Sequence, residues 1–249
     1  MSSRRDAVPF DSHHFEKQAA AGANAPADAI FRDIYRQNHW ANPHSPSGQG
    51  ASPDQVRGLG TALPGLLRQL AVEVLLDLPC GDYSWMQLIE LPVARYIGAD
   101  LLPELVRPLE KAYTDARHRF VVIDLTQDPL PEADLLLCRD CLVHLSFADI
   151  GRALSNVLRS GLPYLLTTTF PECEVNEDIV TGDWRPLNLE LEPFGFPPPS
   201  ELLNERCSEA GGLFADKSLG LWQVAELTKL PFLGCDRFDG CCDSEGGTR

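Results

Sequence analysis

The stretch VEVLLDLPCGDYSWM, residues 72–86, decides the fold of this chain. It begins with a mostly apolar run, Val72–Leu76, of the kind that forms a parallel strand buried on both faces. The run ends in Asp77, and a tight turn through Gly81 follows before a predicted helical start, with Ser84 as its cap. A strand, a sharp turn and a helix in this order place a nucleotide-like ligand at the carboxyl edge of a parallel sheet.

The residues of the turn argue against a bound pyrophosphate. The dinucleotide fingerprint needs three glycines that let phosphates approach the N-terminus of a helix. Here Pro79 takes the first glycine position, only Gly81 remains, and Asp82 would repel a phosphate. A cationic ligand without phosphates fits better. S-adenosylmethionine (SAM), which carries a sulfonium and an ammonium group, is such a ligand. NAD contains a pyrophosphate, so the turn disfavours a nicotinamide-dependent oxidoreductase.

Residues 77–85, D-L-P-C-G-D-Y-S-W, resemble motif I of class I SAM-dependent methyltransferases. More narrowly, they are similar to a bacterial branch that reads D-x-P-C-G-D-x-x-W-M. Pro79 and Tyr83 replace the first and third motif glycines, which departs from the broad class but not from the branch. The resemblance extends from residue 28 to residue 228. It implies an α/β fold: a Rossmann-like, doubly wound, seven-stranded and mostly parallel sheet with helices on both faces and an N-terminal helical lid.

Composition and charge narrow the class of protein further. The 249 residues and 44% hydrophobic content suffice for one domain with a sizeable core. A formal net charge of −15 argues against nucleic acid and against an anionic membrane surface as partners. The sequence shows neither a bilayer-spanning apolar run nor the apolar centre of a secretory signal, so we expect a cytoplasmic enzyme. We predict a disordered tail over 1–27, a methyltransferase domain over 28–233 with its lid at 28–70, and a frayed tail over 234–249.

Local patterns predict the elements outside motif I. Helical spacing indicates four helices, at 29–37 with Asp28 as cap, at 56–70 with a break near Pro64, at 103–116, and at 146–159 with Ser146 as cap. Alternation predicts an exposed strand around 187–191 and a last, antiparallel strand over 219–227 at the edge of the sheet.

Two more acidic residues follow predicted strands. Asp100 ends the strand over 94–100 and is placed to accept hydrogen bonds from ribose hydroxyls; the alternative is a cap for the next helix. Asp124 ends the strand over 120–124 and either accepts a hydrogen bond from the adenine amino group or caps a turn. Together with the resemblance, these positions give the predicted cofactor-binding residues Asp77, Pro79, Cys80, Gly81, Asp82, Trp85, Asp100, Leu101, Asp124, Leu125 and Arg139.

Residues 138–145, C-R-D-x-L-x-H-L, resemble the methyltransferase motif that follows the fourth strand. Asp140 and His144 are the candidate catalytic residues, because either side chain is able to take a proton from an acceptor hydroxyl or amine. The alternatives are an Asp that caps the loop and a His that packs beneath the cofactor, since methyl transfer often needs only alignment. Arg139 has an alternative too, an ion pair with Asp82 or Asp140.

A metal site is the other function that this loop suggests. Cys138, Cys141 and His144 have the spacing C-x-x-C-x-x-H, but no second pair of ligands completes a four-ligand zinc site. The alternative is two small residues at the end of a buried strand and in its turn. We therefore predict no metal.

Two segments outside the alternating strands and helices are candidate acceptor-binding elements. Residues 38–52 combine Ser and Gly with aromatic and amide groups, and residues 171–200 form a long loop of the kind that is usually functional. The alternatives are a flexible hinge and a plug at the sheet edge. Both segments share the resemblance, which implies that the first one folds over the cofactor and the acceptor. The predicted acceptor-binding residues are Tyr35, Asn38, Trp40, Ser47, Trp184, Arg185 and Asn188.

The sequence thus predicts an enzyme that moves a methyl group from SAM to an oxygen or nitrogen nucleophile of a small polar molecule: a metabolite, a glycan or a phosphate ester. Two alternatives stay open. One is a non-catalytic SAM-binding partner subunit. The other is a protein or peptide N-methyltransferase, for which the acidic composition favours a basic peptide. Neither the acceptor atom nor the oligomeric state follows from the sequence.

Overall fold

A single mixed sheet forms the centre of the computed structural model, which describes residues 11–23, 25–42, 45–230 and 232. Its strands are β1 Val74–Asp77, β2 Arg95–Asp100, β3 His118–Val122, β4 Leu135–Cys138, β5 Tyr164–Thr169, β6 Glu201–Asn204 and β7 Ser218–Gln223. They lie in the order β3-β2-β1-β4-β5-β7-β6. The first five are parallel, and β7 is antiparallel to both neighbours. This confirms the predicted seven-stranded, mostly parallel Rossmann-like sheet.

Helices cover both faces of this sheet, as predicted. The described residues form five α-helices: α1 His14–Ala20, α2 Ala27–Gln37, α3 Pro53–Gln69, α4 Pro103–Tyr113 and α5 Phe147–Ser160. Because side chains alternate along a strand, Val74 and Leu76 of β1 enter the core that holds α5, whereas Leu75 enters the core that holds α3 and α4. Burial on two faces explains why β1 and β4 read as unbroken apolar runs.

Helix ends were predicted with mixed success. Ser146 does cap α5, because its Oγ accepts a hydrogen bond from the Asp149 N–H at 3.2 Å. Asp28 does not cap α2, which begins one residue earlier, after Pro26. The predicted helix after motif I is only a 3₁₀ turn, Met86–Leu88, and Ser84 does not cap it. Pro64 does not break α3, since the helix is continuous and buries this residue in its packed face.

The far edge of the sheet differs from the prediction. The exposed strand expected around 187–191 is absent, because Leu187 and Leu189 are fully buried in irregular backbone beside the end of β5. There the Phe170 N–H donates to the Leu187 carbonyl at 2.7 Å. The edge strand is β6 instead, so β7 lies inside the sheet. β7 ends at Gln223, and a 3₁₀ segment replaces its predicted continuation to 227.

The N-terminal segment also differs from the predicted tail over 1–27. Residues 14–20 form α1, and Phe15 packs against Ile30 and Ile34 of α2. The carboxylate of Asp183 accepts hydrogen bonds from the N–H groups of Phe15 (2.8 Å) and Glu16 (2.9 Å). Sequence patterns do not reveal this helix, because its stabilising partner lies 168 residues away. The predicted tails over 1–10 and 234–249 lie outside the described residues.

No helix in the described part of the chain has both the length and the apolar character needed to cross a membrane.

Candidate active site

An open cavity lies at the carboxyl edge of the parallel strands, where a doubly wound fold binds its ligands; with the solvent at its mouth it encloses about 1180 Å³. The turns after β1, β2 and β4 and the loop after β3 form its floor. Helix α2 closes it with Phe31, Ile34 and Tyr35. Nine of the eleven predicted cofactor residues line it: Pro79, Cys80, Gly81, Trp85, Asp100, Leu101, Asp124, Leu125 and Arg139.

Asp100 joins the turn after β1 to the end of β2. Its Oδ2 accepts a hydrogen bond from the Gly81 N–H, and its Oδ1 accepts one from the Leu102 N–H, both at 3.1 Å. Burial raises the pKa of Asp100 to about 6, although these backbone donors oppose the shift. Each oxygen keeps a second lone pair for a further donor. The cavity therefore offers a carboxylate at the position predicted for the ribose.

Asp124 lines the cavity but is engaged by its own turn. Its Oδ1 accepts hydrogen bonds from the Thr126 N–H (2.8 Å) and hydroxyl (2.6 Å), and its Oδ2 accepts one from Gln127 (2.8 Å). This geometry favours the turn-capping alternative over contact with adenine.

Two predicted cofactor residues do not line the cavity but support its wall. Asp77 accepts a hydrogen bond from the Tyr96 hydroxyl at 2.6 Å, and no described residue pairs with its buried Oδ1. Burial raises the pKa of Asp77 to about 7. Asp82 faces the lid instead: its carboxylate accepts hydrogen bonds from the Ser47 hydroxyl (3.3 Å) and the Ser84 N–H (3.1 Å).

The N-terminal segment closes over the motif-I turn at very short range. Ser47 Oγ accepts a hydrogen bond from the Asp82 N–H at 3.1 Å. Gly81 has a φ of 55°, and a Cβ at this position would lie 2.1 Å from Ser47 Oγ. Only glycine adopts this positive φ readily and also leaves room for Ser47 Oγ. Asn38 ends α2 in the left-handed conformation, with a φ of 50°, and lines neither this cavity nor the next one, so it does not occupy the predicted acceptor site.

A second open cavity adjoins the first; with the solvent at its mouth it encloses about 1070 Å³. Four side chains line both cavities: Trp40, Ser47, Asp140 and His144. The second cavity also includes Trp184 and Lys217 among its lining residues. The predicted lid residues Trp40 and Ser47 and the predicted catalytic residues Asp140 and His144 are thus brought together at the boundary of two compartments.

His144 has a defined tautomer at this boundary. Its Nδ1 lies 3.0 Å from the Asp183 carbonyl oxygen, which only accepts, so Nδ1 carries the proton and Nε2 keeps its lone pair. Burial lowers the pKa of His144 to about 4, although the Asp183 carbonyl and Asp140 oppose the shift. The imidazole is therefore neutral at pH 7. The Trp40 ring lies beside it, with 4.7 Å between centroids.

Asp140 belongs to a buried cluster of four charges. It accepts a hydrogen bond from Lys217 Nζ at 2.6 Å and lies 3.4 Å from Arg139. Arg139 forms a two-point ion pair with Glu205, at 3.1 and 2.6 Å. Burial alone would raise the pKa of Asp140, but Lys217 and Arg139 hold it well below its usual range. A carboxylate stabilised in this way accepts protons poorly, and the pKa of His144 makes its neutral imidazole a weak base as well. His144 is nevertheless the candidate with a lone pair free of ion pairs, on Nε2, and its ring orientation is fixed by the Asp183 carbonyl.

Sequence reasoning missed Glu205 and Lys217 entirely. They lie 66 residues from Arg139 and 77 residues from Asp140, respectively, and no local pattern marks them. Arg139 takes its alternative role as an ion-pair residue, with Asp140 and Glu205 rather than Asp82. It also donates to the Gly50 carbonyl at 2.9 Å.

The comparisons with known proteins agree with this geometry. Residues 76–163 match the family model described as a methyltransferase domain. This part of the chain is a SAM-dependent methyltransferase domain. A relative, the malonyl-[acyl-carrier protein] O-methyltransferase of Serratia marcescens, is 24% identical over 205 residues, which cover 81% of this chain and 69% of the relative.

Two solved structures share the fold of the methyltransferase domain. Human N-acetylserotonin methyltransferase in complex with SAM has a TM-score of 0.53 at 18% identity; the alignment covers 83% of this chain and 61% of that one. This chain therefore spans less than two thirds of that protein. The N-methyltransferase NodS from Bradyrhizobium japonicum WM9 has a TM-score of 0.52 at 16% identity, with 69% and 97% coverage.

Two predicted acceptor residues, Arg185 and Asn188, instead hold neighbouring backbone segments in place. Arg185 is buried and donates to the carbonyls of Leu142 (2.8 Å), Leu145 (2.7 Å) and Glu177 (3.1 Å), which fixes the loop that carries His144. Each of its three nitrogen atoms already donates to a backbone carbonyl, and Arg185 lines neither cavity. In the same way, Asn188 donates to two backbone carbonyls of residues 171–173. Of the predicted acceptor residues Trp184, Arg185 and Asn188, only Trp184 lines a cavity.

Within the described ranges, no group of three or more His, Cys, Asp and Glu side chains is arranged to hold a metal ion. The imidazole of the C-x-x-C-x-x-H spacing is instead oriented by the Asp183 carbonyl.

Proposed function

We propose that the whole protein transfers the methyl group of SAM to an oxygen or nitrogen nucleophile of a small molecule. The observation that carries this proposal is the pair of adjoining cavities, because the side chain of His144 forms part of the wall of both. One cavity has the position of a cofactor site in a doubly wound fold, and the other has room for a separate acceptor.

The first cavity suits SAM chemically. Gly81 lets Ser47 pack directly on the turn, and the turn offers no second glycine for a pyrophosphate. Its ionisable lining includes Asp100, Asp124 and Asp140, and the Arg139 guanidinium is already paired with Glu205. These properties favour a ligand with positive charge and no phosphate. We assign Asp100 to the ribose and Leu101 and Leu125 to the adenine faces.

The residues at the boundary have separable roles. When bound, SAM supplies an electrophilic methyl group on a sulfonium, and transfer leaves S-adenosylhomocysteine. His144 Nε2 accepts the proton that the acceptor loses as its new bond to carbon forms, or it orients that O–H or N–H through a hydrogen bond. The indole of Trp40 covers the imidazole and excludes water. Asp140 keeps its charge and fixes Lys217 in the wall.

The test begins with calorimetric titration of the protein with SAM, S-adenosylhomocysteine and NAD. We expect both adenosyl ligands to bind and NAD not to bind. The protein is then incubated with SAM and fractionated polar metabolites, and mass spectrometry identifies molecules that gain one methyl group. Binding without any methylated product would favour the non-catalytic partner subunit, whereas a methylated basic peptide would favour the peptide alternative. Absence of adenosyl binding would refute the proposal.

The remaining expectations from sequence stay predictions: a cytoplasmic location, and partners that include neither nucleic acid nor a membrane. The net charge of −15 is the observation on which the last two rest.

A further inference from the structure

The second cavity has an aromatic wall. Phe170, Trp184 and Phe214 all line it. Each pair of these rings meets edge to face, with centroids 4.8 to 6.1 Å apart. Trp40 contributes a fourth ring. The rings offer apolar area against which an apolar body packs. Their faces also carry partial negative charge, which attracts an organic cation and repels an anion.

The charged side chains that line the second cavity do not all form ion pairs. Lys217 is neutralised by Asp140 at 2.6 Å and lies 3.4 Å from Glu205. Glu209 lines the same cavity, and no described residue forms a salt bridge with it. Burial raises the pKa of Glu209, although Lys217 opposes the shift. This half-buried carboxylate therefore gains from any cation that enters beside it.

We propose that this cavity binds an acceptor that is an organic amine, with its apolar body against the aromatic wall and its ammonium group beside Glu209. The inference rests on the proposed function, because it treats the second cavity as the acceptor site. It narrows the acceptor class and disfavours the phosphate esters that the sequence left open. A phosphate would meet a carboxylate without a counter-ion, and Lys217 is already committed to Asp140.

The experiment uses three probes of similar size: 2-phenylethylamine, 2-phenylethanol and phenylacetate. Each is titrated into protein saturated with S-adenosylhomocysteine at neutral pH, where the amine is charged. We expect the amine to bind about tenfold more tightly than the alcohol, which corresponds to ~1.4 kcal/mol, and phenylacetate to bind most weakly. Glu209→Gln should remove the preference for the amine and leave the affinity for the alcohol unchanged.

A matched charge change provides the control. Glu110 is exposed on α4, outside both cavities, and Glu110→Gln should behave as wild type. Trp184→Leu should weaken the binding of all three probes, since it removes aromatic wall and leaves the charge unchanged. The affinity for S-adenosylhomocysteine, measured for every variant, shows that the fold is intact.

The outcomes separate the two proposals. The inference is overturned if the amine fails to bind, if the alcohol or phenylacetate binds as tightly as the amine, or if Glu209→Gln keeps the preference. Any of these results together with tight binding of S-adenosylhomocysteine leaves the proposed function standing. If S-adenosylhomocysteine itself does not bind, the proposed function fails and this inference falls with it.

Discussion

The carboxyl group of Asp77 makes the stability of this fold depend on pH in an unusual direction. It is buried at the end of β1, where Tyr96 supplies a hydrogen bond to one oxygen and no described residue pairs with the other. Burial raises its pKa from 3.8 to about 7, although the Tyr96 hydroxyl and Arg139 lower it in part. The folded protein therefore binds a proton at Asp77 that the unfolded chain has already released over this pH range.

The sign and size of the effect follow from proton linkage. Between pH 3.8 and 7 the folded state holds one more proton than the unfolded state, so the free energy of unfolding falls as pH rises. At ~1.4 kcal/mol per pH unit, the full loss is about 4 kcal/mol, and about 3 kcal/mol of it lies between pH 5 and pH 8. The contribution is complete below pH 3.8 and gone above pH 7. Asp77→Asn removes it, because an amide does not ionise.

Urea unfolding at pH 5, 6, 7 and 8 measures this effect as the difference in unfolding free energy between Asp77→Asn and wild type. We expect that difference to shift in favour of the variant by about 3 kcal/mol across the series. Asp33→Asn, a change at an exposed position of α2, should show no such trend. A difference for Asp77→Asn that stays constant with pH would refute the reasoning, since the carboxyl would then titrate alike in both states.

Three further changes test the site. Asp100→Ala should weaken SAM binding about tenfold to a hundredfold by calorimetry, because it removes a buried hydrogen-bond acceptor; unchanged affinity would rule out the ribose assignment. His144→Ala should lower kcat by about 10² to 10⁴ with SAM affinity preserved, and equal rates would show that alignment alone suffices. Gly81→Ala should weaken SAM binding and displace the lid, because its Cβ would meet Ser47 Oγ at 2.1 Å, whereas Gly60→Ala has open space and should not.

The sequence predicted the sheet and the floor of the first cavity well, because both depend on local patterns. Apolar runs such as Leu135–Cys138 report burial on two faces, and the residues that follow them reach the carboxyl edge in any parallel sheet. The prediction was weaker for short elements. β6 is mostly exposed, so it shows no apolar alternation, and the turn after Ser84 contains too few residues to reveal that it is 3₁₀.

Long-range polar contacts were beyond the reach of sequence patterns. Arg185 was predicted to bind an acceptor because its fork suits a carboxylate, yet the loop that carries His144 uses that fork for its own carbonyls. The partners Glu205 and Lys217, and the unmatched Glu209, come from the last fifth of the chain. Each lies at its position because strand order brings β6 and β7 beside β5.

The attachment of α1 to Asp183 has a practical consequence for enzymology. The Asp183 carboxylate binds the first turn of α1, while its carbonyl sets which nitrogen of His144 carries the proton. A shortened version that begins after residue 23 would retain the side chains that line both cavities. It would nevertheless remove the two amide donors of the buried Asp183 carboxylate. Asp183 is also the residue whose carbonyl orients the imidazole. Rates measured on such a shortened protein would describe a site in which the orientation of His144 is less well fixed than in the full chain.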